Sequence, residues 1–207
     1  MNDFNHTKGD FSGEVRKIAY ENVFRSIDLT RRFPQNIFRP GWDDFLFFAS
    51  DVMFSPEFVR TARSLIKVEG SECFCIVNLD DLVLGEKRPE ESSFFIDSTI
   101  SDEEYLSFLR RLPDGWLYSP NNFACASEGD RWSMYCERQS EMAVVAFRGL
   151  ENSLLIRTAA LLLEAAPIEE AVERRIGWSF TPVAESRGGL TPEWRDQLLE
   201  EYSAGRT

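Results

Sequence analysis

The stretch RWSMYCERQSEMAVVAF, Arg131 to Phe147, decides how this chain is read. Its first half alternates: Trp132, Met134 and Cys136 would point one way, and Ser133, Tyr135 and Glu137 the other. A period of two is the signature of a β-strand. Arg138-Gln139-Ser140 is a polar break. EMAVVAF then runs apolar on both faces, as a strand with neighbours on each side does. Upstream, FACAS at 123–127 and the turn residues Glu128-Gly129-Asp130 precede it, so the region from Trp116 to Phe147 reads as an antiparallel meander.

Working outward, ECFCIVNLDDL at 72–82 reads as another strand with two apolar faces. Cys73, Cys75, Val77 and Leu79 share one face, and Phe74 and Ile76 the other. SFFIDST at 93–99 is a further short strand. Between these lie helix signals. Ser55-Pro56 sets an N-cap and a proline at the first helical position, and Phe58, Val59, Ala62, Leu65 and Ile66 repeat at helical spacing up to Gly70. Ser101 and Glu104 form a capping box ahead of Tyr105, Phe108, Leu109 and Leu112, and Pro113-Asp114-Gly115 ends that helix.

The remaining segments are harder. Val15 to Phe24 fits a strand or a short helix, and residues 31–41, with two prolines and a glycine, form a loop. The Phe-rich run Trp42–Phe54 reads as a buried strand. LGEKRPEESS, residues 84–93, is a charged loop. SLLIRTAALLLEAA and IEEAVERRI, separated by Pro167, read as helices; residues 178–189 are a loop or small strand; Thr191-Pro192 opens a capped terminal helix. The expectation is a tail over residues 1–13, flexible and polar, and a single α+β domain over 14–207. That domain has a largely antiparallel sheet with helices packed on at least one face.

Composition bounds the function. A hydrophobic fraction of 43% supports a folded core. No apolar run approaches the roughly 20 residues that span a bilayer, and no secretory signal opens the chain, so a cytoplasmic location is expected. The net charge of −12 argues against binding nucleic acid or an anionic membrane and favours a basic protein partner. Surface acidity that only maintains solubility is the simpler account of the same number.

Chemistry is sparse. The single histidine, His6, lies in the tail, which argues against a Ser or Cys triad. No phosphate-binding loop or dinucleotide fingerprint occurs. Cys73, Cys75, Cys125 and Cys136 read as reduced core thiols, because the spacing of the first two is wrong for zinc. No metal and no cofactor are expected. Asp43, Asp44, Asp80, Asp81, Asp97, Asp102, Glu137 and Glu141 could converge as acid–base or magnesium-holding carboxylates, although adjacent acids are common in so acidic a chain. The basic pairs Arg31-Arg32, Arg110-Arg111 and Arg174-Arg175 read as surface ion pairs.

The cadence Trp132-Ser133-Met134-Tyr135-Cys136-Glu137, then Glu141-Met142-Ala143-Val144-Val145-Ala146, resembles the W-x-x-Y-x-E…E-x-A-x-x-A hairpin of small bacterial immunity proteins. Those proteins neutralise a partner toxin in contact-dependent inhibition and related polymorphic toxin systems. The resemblance covers about residues 42–147. It implies a non-catalytic binding protein whose partner is a cognate protein toxin, and it carries over no enzymatic residue. Candidate contacts are Glu86, Glu90 and Glu91 of the charged loop and an exposed hairpin face with Tyr135 and Glu137. A carboxylate enzyme, and a structural or interaction protein with another partner, remain alternatives.

Overall fold

A computed structural model describes residues 13–83, 92–111, 116–118, 122–149, 153–174 and 191–203. The expected tail over 1–12, the charged loop at 84–91, the turn at 113–115 and the stretch 178–189 lie outside the described residues.

The meander is present: β4 (Asn122–Ser127), β5 (Trp132–Glu137) and β6 (Met142–Phe147) pair antiparallel in sequence order. In the β5–β6 hairpin Trp132 opposes Phe147 and Cys136 opposes Ala143. The Phe-rich run forms β1 (Asp44–Ala49), which pairs with β6, and continues as a 3-10 helix over Ser50–Phe54. On the other side β2 (Cys73–Asn78) pairs with β4, and β3 (Ser93–Asp97) with β2. The result is one six-stranded antiparallel sheet, ordered β1-β6-β5-β4-β2-β3. The two strands with apolar residues on both faces, β2 and β6, are each flanked by a strand on either side, as their pattern requires.

The ambiguous N-terminal run is a helix, α1 (Glu14–Ser26). Helix α2 (Pro56–Glu69) starts as expected with proline in its first turn, but the Ser55 hydroxyl donates to the Val52 carbonyl at 2.7 Å instead of capping. Gly70, at φ 80°, closes α2 in the left-handed conformation. The strand expected to run on through Leu82 stops at Asn78. Asn78 Nδ2 donates to Asp81 Oδ2 at 2.9 Å, and residues Leu79–Val83 turn into the short helix α3. Asn78 Oδ1 also accepts from Asp81 N at 3.5 Å, a side-chain-to-backbone contact that favours a helical turn in place of the ladder. Leu79 still reaches the same core as Cys73, Cys75 and Val77.

Helix α4 (Asp102–Arg110) has the capping box: Ser101 Oγ accepts from Glu104 N at 3.1 Å, and Glu104 Oε2 accepts from Ser101 N at 2.8 Å. Helices α5 (Ser153–Leu162), α6 (Ile168–Arg174) and α7 (Pro192–Tyr202) follow. Thr191 Oγ1 caps α7 by accepting from Trp194 N at 3.2 Å.

Because β-strand side chains alternate, the sheet buries two cores. One face carries Leu46, Phe74, Ile76, Phe94, Trp132 and Met134, packed under α2, α4 and α5. The other carries Phe47, Cys75, Val77, Tyr135 and Val144, packed under α1, residues 27–42, α6 and α7. The molecule is therefore an α+β domain with helical cover on both faces of an antiparallel sheet. Each fully buried aromatic contributes about 1.5–3 kcal/mol of transfer free energy.

Candidate functional site

One end of the sheet gathers polar side chains from four separate elements. Glu137 ends β5, and Asn122, its register partner, begins β4. Asp80 lies on α3 just past the end of β2. Its carboxylate accepts from Asn122 N at 2.8 Å and Asn122 Nδ2 at 3.0 Å. Arg32 reaches in from the irregular 27–42 segment and sits 3.7 Å from Asp80. The Tyr135 hydroxyl donates to Glu137 Oε2 at 3.0 Å.

Tyr135 is not on an exposed face. It is 1% exposed, with the ring of Phe33 edge-on at 5.3 Å. The hairpin face expected to meet solvent is covered by residues 27–42 and by α7. Tyr202 of α7 accepts from Ile37 N at 3.1 Å and lies 6.1 Å from Phe33. The alternation was read correctly; what it could not show is that β5 has a helical layer on each side. Glu137 is half-buried at the rim. Glu86, Glu90 and Glu91 lie outside the described residues.

Desolvation raises the Glu137 carboxyl above its ordinary 4.5. Hydrogen bonds from the Tyr135 and Ser140 hydroxyls and the Phe33 N–H, and the charge of Arg32, offset only part of that. The folded state thus holds this proton more tightly than the unfolded chain. Stability is lost as pH rises from about 4.5 through the folded value. Glu137→Gln retains an acceptor for Tyr135 without the charge. Urea titrations are expected to find the variant more stable than the parent at pH 7, by up to about 1 kcal/mol. The gap should close as the pH is taken below 4.5. A variant less stable than the parent at pH 7 but equal to it below pH 4.5 would mean that the charged form of Glu137 is the one the fold requires.

The other expected carboxylates do not gather. Asp43 accepts from Gly149 N at 3.1 Å. Asp97 holds the turn at Thr99 N, Thr99 Oγ1 and Ile100 N. Asp102 is gripped by Arg60 and Arg63. Among the described residues no three His, Cys, Asp or Glu side chains come together as metal ligands. Arg31 pairs with Asp28 at 3.6 Å, and Arg174 pairs with Glu170, as the surface reading of these basic pairs expects.

All four cysteines are buried and unbridged. Burial pushes the Cys73 thiol up to about 12 and those of Cys75, Cys125 and Cys136 well above their ordinary 9.0. Arg138 is the one cation that could activate Cys136. Its guanidinium instead lies 4.5 Å from the Phe54 ring centroid and donates to the Leu117 carbonyl at 2.8 Å. Its attraction lowers the thiol value less than burial raises it.

Sequence reading missed the joining of Arg32, Asp80 and Asn122, since no spacing links three positions so far apart. It also missed the row Arg60, Arg63 and Lys67 on α2, whose intervals of three and four residues are a readable helical stripe. Compared with known proteins, the chain matches no family model, no curated protein and no solved structure. No described helix is long and apolar enough to cross a membrane.

Proposed function

We propose that this chain is a non-catalytic binding protein of the immunity type, which neutralises a cognate, basic bacterial toxin in the cytoplasm by direct contact. One observation carries the reading. Among the described residues, the four thiols are buried and carboxylates such as Asp80, Asp97 and Asp102 are spent on turns and arginine pairs. What this leaves for function is the surface of a chain with net charge −12. Such a surface speeds encounter with a basic partner and suits neither nucleic acid nor an anionic membrane as ligand. The hairpin cadence from Trp132 to Ala146 supports the same reading.

The test is capture by tagged protein from a lysate of the source organism in moderate salt, followed by co-expression. The expected result is one stoichiometric basic chain that is toxic when expressed alone and harmless when co-expressed. Charge reversal at Glu86, Glu90 and Glu91 is expected to slow association about tenfold and to flatten its salt dependence. Unchanged association would remove that loop from the interface. Failure of every captured chain to show toxicity relieved by this protein would overturn the immunity reading.

A further inference from the structure

Against so acidic a background, one surface cleft is cationic. It is an open depression of about 600 Å³ beside α2, lined by Arg60, Arg63, Ser64, Lys67, Ser71 and Ser98 with Ile66 as its apolar element. Positions 60, 63 and 67 fall on one helical face, so three cations are stacked along its wall. Two carboxylates answer them. Asp102 accepts from Arg60 Nε at 2.7 Å and Arg63 Nη2 at 2.6 Å, and Glu57 lies 3.9 Å from Arg60. Lys67 has no ion pair among the described residues.

The nearest acid along the helix cannot serve it. The Glu69 carboxylate is turned toward the sheet, accepting from Arg131 N at 2.9 Å, Trp132 Nε1 at 3.1 Å and Ser71 Oγ at 2.6 Å. The Ile66 carbonyl accepts from Gly70 N at 2.9 Å and Ser71 N at 3.0 Å, which reduces but does not remove the repulsion of an anion by this end of the helix, so the attraction has to come from the side-chain cations.

We propose that this cleft binds a phosphoryl group, with Lys67 as its principal charge, the outer edge of Arg60 and the Ser98 hydroxyl as further donors, and Arg63 adding charge while it stays tied to Asp102 and the Ile100 carbonyl. The donor set selects the anion. A planar carboxylate is best held by the fork of a guanidinium, and neither arginine offers a free fork: Asp102 fills the edges of Arg60 and Arg63 that face each other, and Arg63 Nη1 donates to the Ile100 carbonyl at 2.9 Å. What is left is the Lys67 ammonium, the Ser98 hydroxyl and the outer edge of Arg60, which approach from different directions. A tetrahedral oxyanion with several acceptor oxygens meets such donors; the Ser64 hydroxyl can join by rotating away from the Arg60 carbonyl, 2.9 Å from it. The proposal is independent of the immunity reading.

The test is an amide NMR titration of the full chain with inorganic phosphate at fixed ionic strength, with sodium chloride as the control. Saturable shifts confined to Ser64, Lys67, Ser71 and Ser98 are expected, with Kd on the order of 1 mM for so open a site. Lys67→Ala and Arg60→Gln alter exposed side chains and leave the core intact. Each is expected to weaken binding about tenfold. A parallel titration with glycerol 1-phosphate separates the sources. Tighter binding assigns a phosphate ester; equal or weaker binding assigns the free ion. Identical shifts in chloride, or a Lys67→Ala variant that titrates like the parent, would overturn the proposal.

Discussion

Replacing Trp132 by alanine is expected to cost about 4 kcal/mol of folding stability, in the range measured for large aromatic-to-alanine changes in cores. Trp132 is fully buried at the start of β5, opposite Phe147. Its ring lies 5.4 Å from that of Phe74 on β2, so it fills the space where the hairpin, the centre of the sheet and α2 meet. Its indole N–H donates to Glu69 Oε2 at 3.1 Å. Alanine leaves a cavity and also deprives Glu69 of one partner. Domains of this size have roughly 5–15 kcal/mol in total, so the variant should sit near its unfolding midpoint in mild denaturant. Trp132→Phe separates the two effects. It keeps most of the packing and loses the hydrogen bond, for about 1–2 kcal/mol. Urea unfolding with an unchanged slope would report both values. A loss under about 1 kcal/mol for Trp132→Ala would show that the strand is not anchored through this residue.

That anchor was legible, and the reason is local. Strand alternation from Trp132 to Glu137 assigns Trp132, Met134 and Cys136 to one core, and they are there. The capping box at Ser101 and the Pro56 start of α2 were equally local signals, and both helices begin where these residues place them. The order of strands was not legible. Nothing in the composition of β1 says that it pairs with β6, with Phe45 101 positions from its partner Ala146 and Leu46 99 from Val145, because that pairing is decided by packing and not by turn chemistry. β2 ends earlier than its apolar pattern because the Asn78 side chain accepts from Asp81 N at 3.5 Å, an effect that apolar periodicity does not register.

The candidate contact face was less legible still. Sequence could place Tyr135 opposite Trp132 on β5. It could not show that the loop bearing Phe33 and the helix bearing Tyr202 return to cover it. A strand with a polar-looking face, Ser133, Tyr135 and Glu137, reads as half-solvated by the usual rule. Here the polar atoms are satisfied internally instead, Ser133 Oγ by the Cys125 carbonyl at 2.9 Å and Tyr135 by Glu137 at 3.0 Å. Buried hydroxyls with internal partners look like surface residues in a sequence and like core residues in a structure.

The four thiols give the largest expected effect. With the Cys73 thiol near 12 against an ordinary 9.0, its thiolate population at pH 8 is about a thousandfold below that of an exposed cysteine. Cys75, Cys125 and Cys136 are shifted in the same direction by their burial. The thiolate is the reacting species, so a disulfide reagent at pH 8 should label the folded protein at least about a thousandfold more slowly than the urea-unfolded chain. Labelling should proceed only through opening, and its rate should rise in step with the unfolded population across a urea series. The same shifts carry a stability sign. Between pH 9 and the raised folded values the unfolded chain loses thiol protons and the folded protein keeps them. Each thiol therefore removes up to about 1.4 kcal/mol of stability per pH unit in that window. Alkaline unfolding should set in above pH 9 and be blunted in a Cys75→Ala, Cys125→Ala double variant, once its cavity cost at pH 7 is subtracted. One thiol that instead labels rapidly at pH 8 in the folded state would be an accessible, activated cysteine. That result would return a nucleophile to a chain whose proposed role as a binding protein rests on having its thiols sealed in the core.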